Sequence, residues 1–128
     1  MSFDVFLTRF HDGDDGGGNA AVRVALAPHL VRVGNGDIWH LRTGDSQADV
    51  YGLDQPSGFM ANHIGDAIWD LLVEAARVGR FVILPMSGPA CVVDPDHVED
   101  LPPDAREAAV VVQNGAQLLA AIEELGRH

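Results

Sequence analysis

Apolar and polar positions along this chain change their spacing several times, and each change marks an element. From Phe3 to Phe10 the apolar residues alternate weakly, with Phe3, Val5 and Leu7 on one side and Phe6 and Phe10 on the other. Apolar side chains on both faces predict a strand inside a sheet rather than at its rim. The Asp/Gly-rich stretch 11–18 predicts a flexible loop. Asn19 then reads as the cap of a short helix over 20–27, ended by Pro28. Asn35-Gly36 is a turn signal.

Strict alternation follows. Residues 38–42 and 47–53 read as two strands joined through Thr43-Gly44-Asp45-Ser46. With Gly44-Asp45 at the tip, the register pairs Leu41 with Ala48, His40 with Asp49 and Trp39 with Val50. Trp39, Leu41, Ala48 and Val50 then share a core face, and Ile38, His40, Arg42, Gln47, Asp49 and Tyr51 share the opposite one. Gln55 to Gly58 is a second turn, and 59–64 a further strand.

The spacing next becomes helical. A helix opens at Gly65-Asp66 and runs to about Val78, stopped by Gly79, with Ile68, Leu71, Leu72, Ala75 and Ala76 as its buried stripe. Short strands are expected over 81–84 and 91–93. Asp94-Pro95 reads as an N-cap with proline in the first turn of a short helix reaching about Leu101. One more turn is expected at 104–108, a strand at 109–112, and a last helix opened by the capping-box spacing of Asn114 and Gln117. Its inward residues are Leu118, Leu119, Ile122 and Leu125. A hairpin among alternating strands and helices predicts an α+β fold: a single domain over residues 1–128, with a mixed, mainly antiparallel sheet and helices packed on it. One sheet face is left for solvent or a partner.

Composition narrows the chemistry. The 128 residues hold 19 Asp+Glu against 8 Lys+Arg, a formal net charge of −11, and all eight basic residues are Arg. Without Lys there is no Schiff-base chemistry and no P-loop. An acidic chain repels polyanions, so nucleic acid is not an expected partner. The single cysteine, Cys91, forms no internal disulfide and excludes Cys-rich zinc sites. No apolar run reaches bilayer length and the first residues do not read as a signal peptide, so no membrane partner and a cytoplasmic location are expected.

Several arrangements resemble active-site fragments. His40 and Asp49 face each other across the predicted hairpin, the pairing in which a carboxylate orients an imidazole; it is equally an ordinary cross-strand pair worth about 0.2–1 kcal/mol. Asn62-His63 falls at a strand end before a helix, a position where binding residues collect. With Tyr51, these form the candidate ligand- or partner-binding set: His40, Asp49, Tyr51, Asn62 and His63. The six His lie in no metal-binding spacing, so neither a metal nor another cofactor is expected. The 12–16 stretch fails as a calcium loop, and Gly16-x-Gly18-x-x-Ala21 is a poor dinucleotide fingerprint because three Asp precede it. Cys91, on a short apolar strand with His97 six residues away, reads as a buried thiol, so no catalytic residue is assigned.

The opening Ser2-Phe3-Asp4-Val5-Phe6-Leu7 with Arg9-Phe10, the central Gly58-Phe59-Met60-Ala61-Asn62-His63, Trp69-Asp70-Leu71-Leu72, and the closing Val110-Val111-Val112 with Gly115 and Leu118-Leu119 resemble a group of small bacterial proteins of unknown function. The resemblance spans nearly the whole chain and implies no catalytic residues. Two functional expectations follow. One is a non-catalytic interaction protein of immunity or antitoxin type that binds a basic protein partner. The other is a small-ligand binder or enzyme with its site near His40, Asp49 and His63; convergence of that set in a concave site favours it.

Overall fold

The computed structural model describes residues 4–10, 18–55, 57–86 and 89–125. The 11–17 part of the expected Asp/Gly loop lies outside them, as do the calcium-like stretch and the first two residues of the dinucleotide-like one, whose remainder falls in the first helix. Eight strands form one mixed sheet: β1 (Val5–Thr8), β2 (Leu30–Val33), β3 (Trp39–Thr43), β4 (Ser46–Tyr51), β5 (Phe59–Asn62), β6 (Val82–Pro85), β7 (Cys91–Val92) and β8 (Val110–Val111). Their order is β2-β3-β4-β5-β1-β6-β7-β8. All neighbours are antiparallel except β7 and β8. The helices are α1 (Gly18–Leu26), α2 (Ile68–Gly79), α3 (Pro103–Ala108) and α4 (Gly115–Leu125). This is the expected α+β class.

Period-two alternation assigns the two faces. Val5, Leu7, Leu41, Val50, Phe59, Ala61 and Ile83 pack in one core with Val22 of α1, Ile68, Leu72 and Ala76 of α2, and Leu118 and Ile122 of α4. Val82 and Val92 point the other way, into a smaller cluster with Leu101, Val98 of the 3-10 turn Pro95–Asp100, and Ala105 of α3. Three helices therefore cover one face, while the 3-10 turn and α3 cap only the β6–β7 end of the other. The opposite face of β3, β4, β5 and β1 has no helix over it among the described residues. β1 lies between β5 and β6, inside the sheet as expected; Val5 and Leu7 are buried on the helix-covered face, while Phe6 on the opposite face is exposed.

Several boundaries differ from expectation. β2 was not anticipated: its residues are mostly exposed, Val31 and Val33 included, so no alternation marks it. α1 continues past Leu26 as a 3-10 turn, Ala27–His29, because Pro28 fits an early helical position. Asn19 is no cap. It is fully buried inside the first turn of α1, and its Nδ2 donates to the carbonyls of Gly52 (3.2 Å), Gln55 (2.8 Å) and Gly58 (2.9 Å), which ties the β4–β5 connection to the helix. α2 starts at Ile68, not at Gly65-Asp66, and buries Trp69 and Val73 as well, with Leu71 only half-buried. It ends on Arg80 in the left-handed region (φ 61°), whereas Gly79 is buried because a Cβ there would lie 2.5 Å from the Phe81 ring. Asp94 caps as expected, accepting from the Asp96 N–H at 3.0 Å, over a 3-10 turn rather than an α-helix. Asn114 caps Gln117, while the Gln117 side chain reaches back to the Gln113 N–H, one residue earlier than a standard capping box.

Candidate functional site

The β3–β4 hairpin adopts the expected register: Trp39 opposite Val50, His40 opposite Asp49, Leu41 opposite Ala48. Gly44 at its tip has φ 58°, which a hairpin turn of this kind requires. The next strand places Asn62 opposite Asp49 and Met60 opposite Tyr51, and β1 places Phe6 opposite Met60. On the uncovered face these registers lay out two adjacent rows. One is polar: Arg32, His40, Asp49, Asn62. The other is apolar: Tyr51, Met60, Phe6.

His63 joins the polar row by a local device. Continued extension past Asn62 would send its side chain to the core face. Instead His63 takes φ 53°, in the left-handed region. The residues after it are fastened to the hairpin: the Gly65 N–H donates to the Gln47 carbonyl (2.8 Å), and the Ala67 N–H to Ser46 Oγ (3.0 Å). Gly65 packs so closely that a Cβ there would lie 2.8 Å from Ser46 Cβ.

As a result one carboxylate holds two imidazoles. His40 Nδ1 lies 2.6 Å from Asp49 Oδ1, and His63 Nδ1 lies 3.2 Å from Asp49 Oδ2. His40 and Asp49 are half-buried and His63 is 62% exposed. Accepting from both Nδ1–H groups, Asp49 selects the tautomer in which each Nε2 keeps its lone pair for a further partner. His40 Nε2 abuts Gly34, where a Cβ would come within 2.8 Å; any larger residue at 34 would push the imidazole off its partner. The exposed His63 imidazole can accept a hydrogen bond from a bound group at Nε2, whereas that of His40 is packed against Gly34. Among the described residues no group of three His, Cys, Asp or Glu is placed to hold a metal ion.

The expected set is thus brought together in part. His40, Asp49 and His63 are in contact. Tyr51 shares their face one row away, in a shallow groove of about 620 Å³ lined with Phe6, Met60, Asp54 and Gln55. Asn62 is adjacent to Asp49 in register, but its Oδ1 is buried without a partner among the described residues, so that atom is not presented on the surface. His63 does not sit at a helix N-terminus, as its place in the sequence suggested, since α2 begins five residues later. Cys91 is fully buried and desolvation raises its thiol pKa to about 11. A second cleft, of about 570 Å³, lies where α2 ends and is lined by Arg77, Arg80, Asp94 and His97. Sequence reasoning considered His97 beside Cys91 and among the six possible His ligands and missed this grouping, because the topology and not the spacing assembles it.

The chain matches no protein-family model, no curated protein and no solved structure. Among the described residues, no helix is long and apolar enough to cross a membrane.

Proposed function

We propose that this protein is a non-catalytic binding module that engages a basic protein partner through the uncovered half of its sheet. The observation that carries the reading is the Asp49-bridged pair of imidazoles, set on an open sheet face beside an apolar row whose Phe6 is 41% exposed. Apolar centres with polar rims are the usual anatomy of protein interfaces. The rim supports a basic partner. The cap over β6–β7 carries six carboxylates between 94 and 107 (Asp94, Asp96, Glu99, Asp100, Asp104, Glu107) against Arg106 alone, within a chain of net charge −11. Complementary charge would steer the encounter and select the partner. An immunity-type protein that neutralises a basic toxin is the concrete form. The hydrogen-bond partner of each imidazole is Asp49, rather than a hydroxyl or thiol awaiting activation.

A small ligand in the groove is the second reading. It is favoured by a groove volume within the range of ligand sites, although of the candidate set only Tyr51 lines the groove, while His40, Asp49 and His63 meet in the neighbouring row. Affinity capture from the native host separates the two. The wild-type chain should retain a basic protein stoichiometrically, Phe6→Asp combined with Asp49→Asn should lose it, and Asp96→Asn with Glu99→Gln should weaken it in a salt-dependent way. Equal capture by all three proteins would sink the reading. No captured protein, together with a metabolite that raises Tm for wild type but not for Asp49→Asn, would transfer the face to a small ligand.

A further inference from the structure

A β-bulge decides where Arg32 points. The β2–β3 register pairs Leu30 with Leu41, then Arg32 with His40 and Val33 with Trp39, so Val31 is the extra residue. An unbroken register would set Arg32 opposite Trp39, on the face that the helices cover. The bulge moves it to the uncovered face beside His40, and re-aiming a side chain is what bulges do beside functional sites. Arg42, two residues after His40, shares that face, and Gln47 lies opposite it on β4. These four side chains, with Val31 and Leu41, line a hollow of about 140 Å³. We propose that this hollow binds a phosphoryl dianion, either free phosphate or the phosphate of a monoester.

The donors are available. Arg32 is exposed, and among the described residues it forms no hydrogen bond or ion pair. Arg42 is exposed and uses only Nε, which donates to the Gly44 carbonyl at 3.2 Å, so its terminal nitrogens remain for a ligand. Asp37 and Asp45 stand in the turns before and after β3, and among the described residues they pair with neither guanidinium group. His40 is held by Asp49 at Nδ1 and packed against Gly34 at Nε2. The two guanidinium groups, rather than the imidazole, therefore supply the hydrogen bonds.

Size and charge select the ligand. The hollow is smaller than the roughly 300–1,000 Å³ of sites that enclose whole drug-sized molecules, and it suits one tetrahedral group. A carboxylate fills a single guanidinium fork, whereas a tetrahedral dianion has oxygens and charge for two. A long polyanion would meet the rest of a chain of net charge −11 and be repelled. The acidic cap at β7 lies five strand steps from β3, about 24 Å away, well beyond the Debye length of about 8 Å at physiological ionic strength. Its carboxylates therefore do not cancel the local attraction.

The test uses the full chain with inorganic phosphate as probe, read by calorimetry at about pH 7.5, where the group is mostly dianionic, with NaCl holding the ionic strength constant. Phosphate should bind with a Kd below about 5 mM. Arg32→Gln and Arg42→Gln remove exposed side chains, so each should keep the wild-type Tm and lose about tenfold or more in affinity. Arg32→Lys keeps the charge without the fork and should recover only part of that loss. Arg77→Gln removes the same charge on the helix-covered side and should bind phosphate as wild type does. Phenyl phosphate binding more tightly than phosphate would assign the site to a monoester; binding no more tightly would assign it to free phosphate. Absence of binding by both probes, full affinity in folded Arg32→Gln, or an equal loss in Arg77→Gln would each overturn the proposal.

Discussion

Cys91 and Asp49 are both polar groups in a sheet, and their surroundings give them opposite characters. Cys91 points from β7 into the main core with no exposed surface, and burial moves its thiol from an ordinary 9.0 to about 11. The folded state therefore keeps its proton between pH 9 and 11, while the unfolded chain releases it. Stability should consequently fall across that interval, by at most about 3 kcal/mol. With no Lys to titrate in the same range and a single Tyr, the change is readable by denaturant melts at pH 8.5 and 11. Cys91→Ala should flatten its contribution; an identical alkaline loss in that variant would refute the assignment. At pH 8, iodoacetamide should modify the native thiol far more slowly than the denatured one. Asp49, by contrast, is half-buried with both oxygens engaged. Its His40 partner was legible from alternation plus a two-sided turn. Its His63 partner was not, because nothing in the local residue pattern reports a positive φ imposed by Gly65 and Ala67 bonding to the hairpin.

At the scale of elements, the joint between α2 and α4 gives the sharpest test. Gly115 opens α4 against the backbone of α2: its N–H donates to Asp70 Oδ1 at 2.6 Å, and a Cβ there would lie 2.4 Å from the Asp70 nitrogen. Two effects compete in Gly115→Ala. Helix propensity favours alanine, by less than the about 1 kcal/mol of a helix interior because Gly115 is the first residue of α4. The collision is with backbone, which cannot rotate away, and overpacking of this kind costs about 1–3 kcal/mol. With approach this close, the collision should win and the variant should be less stable than wild type in urea unfolding. A gain in stability would mean that α4 can shift off α2. Helices with a full apolar stripe and the hairpin with its alternating faces were visible in the chain. β2 was not, since an edge strand with exposed valines has no pattern to distinguish it from a loop. Asn19 was misassigned for a related reason: the same side chain that caps helices can donate to distant carbonyls, and only the position of the β4–β5 connection decides between them.

For the whole molecule, charge is the dominant property. Nineteen carboxylates against eight guanidinium groups repel one another more in the compact state than in the expanded chain. Raising NaCl from about 20 mM to about 500 mM shortens the Debye length from roughly 20 Å to a few ångström and should raise Tm. A Tm that falls with salt would mean that attractive pairs outweigh the net repulsion. The same acidity gives the open face a negative rim at the β6–β7 cap, which would speed association with a basic partner and make its rate salt-sensitive.

The sequence by itself determined the α+β class, the hairpin register that faces His40 with Asp49, the burial of Cys91 and the exclusion of lysine chemistry, because side-chain periodicity and composition are local quantities. Only the tertiary structure decided that three helices share one face, that His63 turns back to a carboxylate fourteen residues earlier, and that Arg77 and Arg80 meet Asp94 and His97 around a cleft. Those outcomes depend on strand order and on backbone torsions fixed by distant hydrogen bonds, and neither is written in the spacing of neighbouring residues.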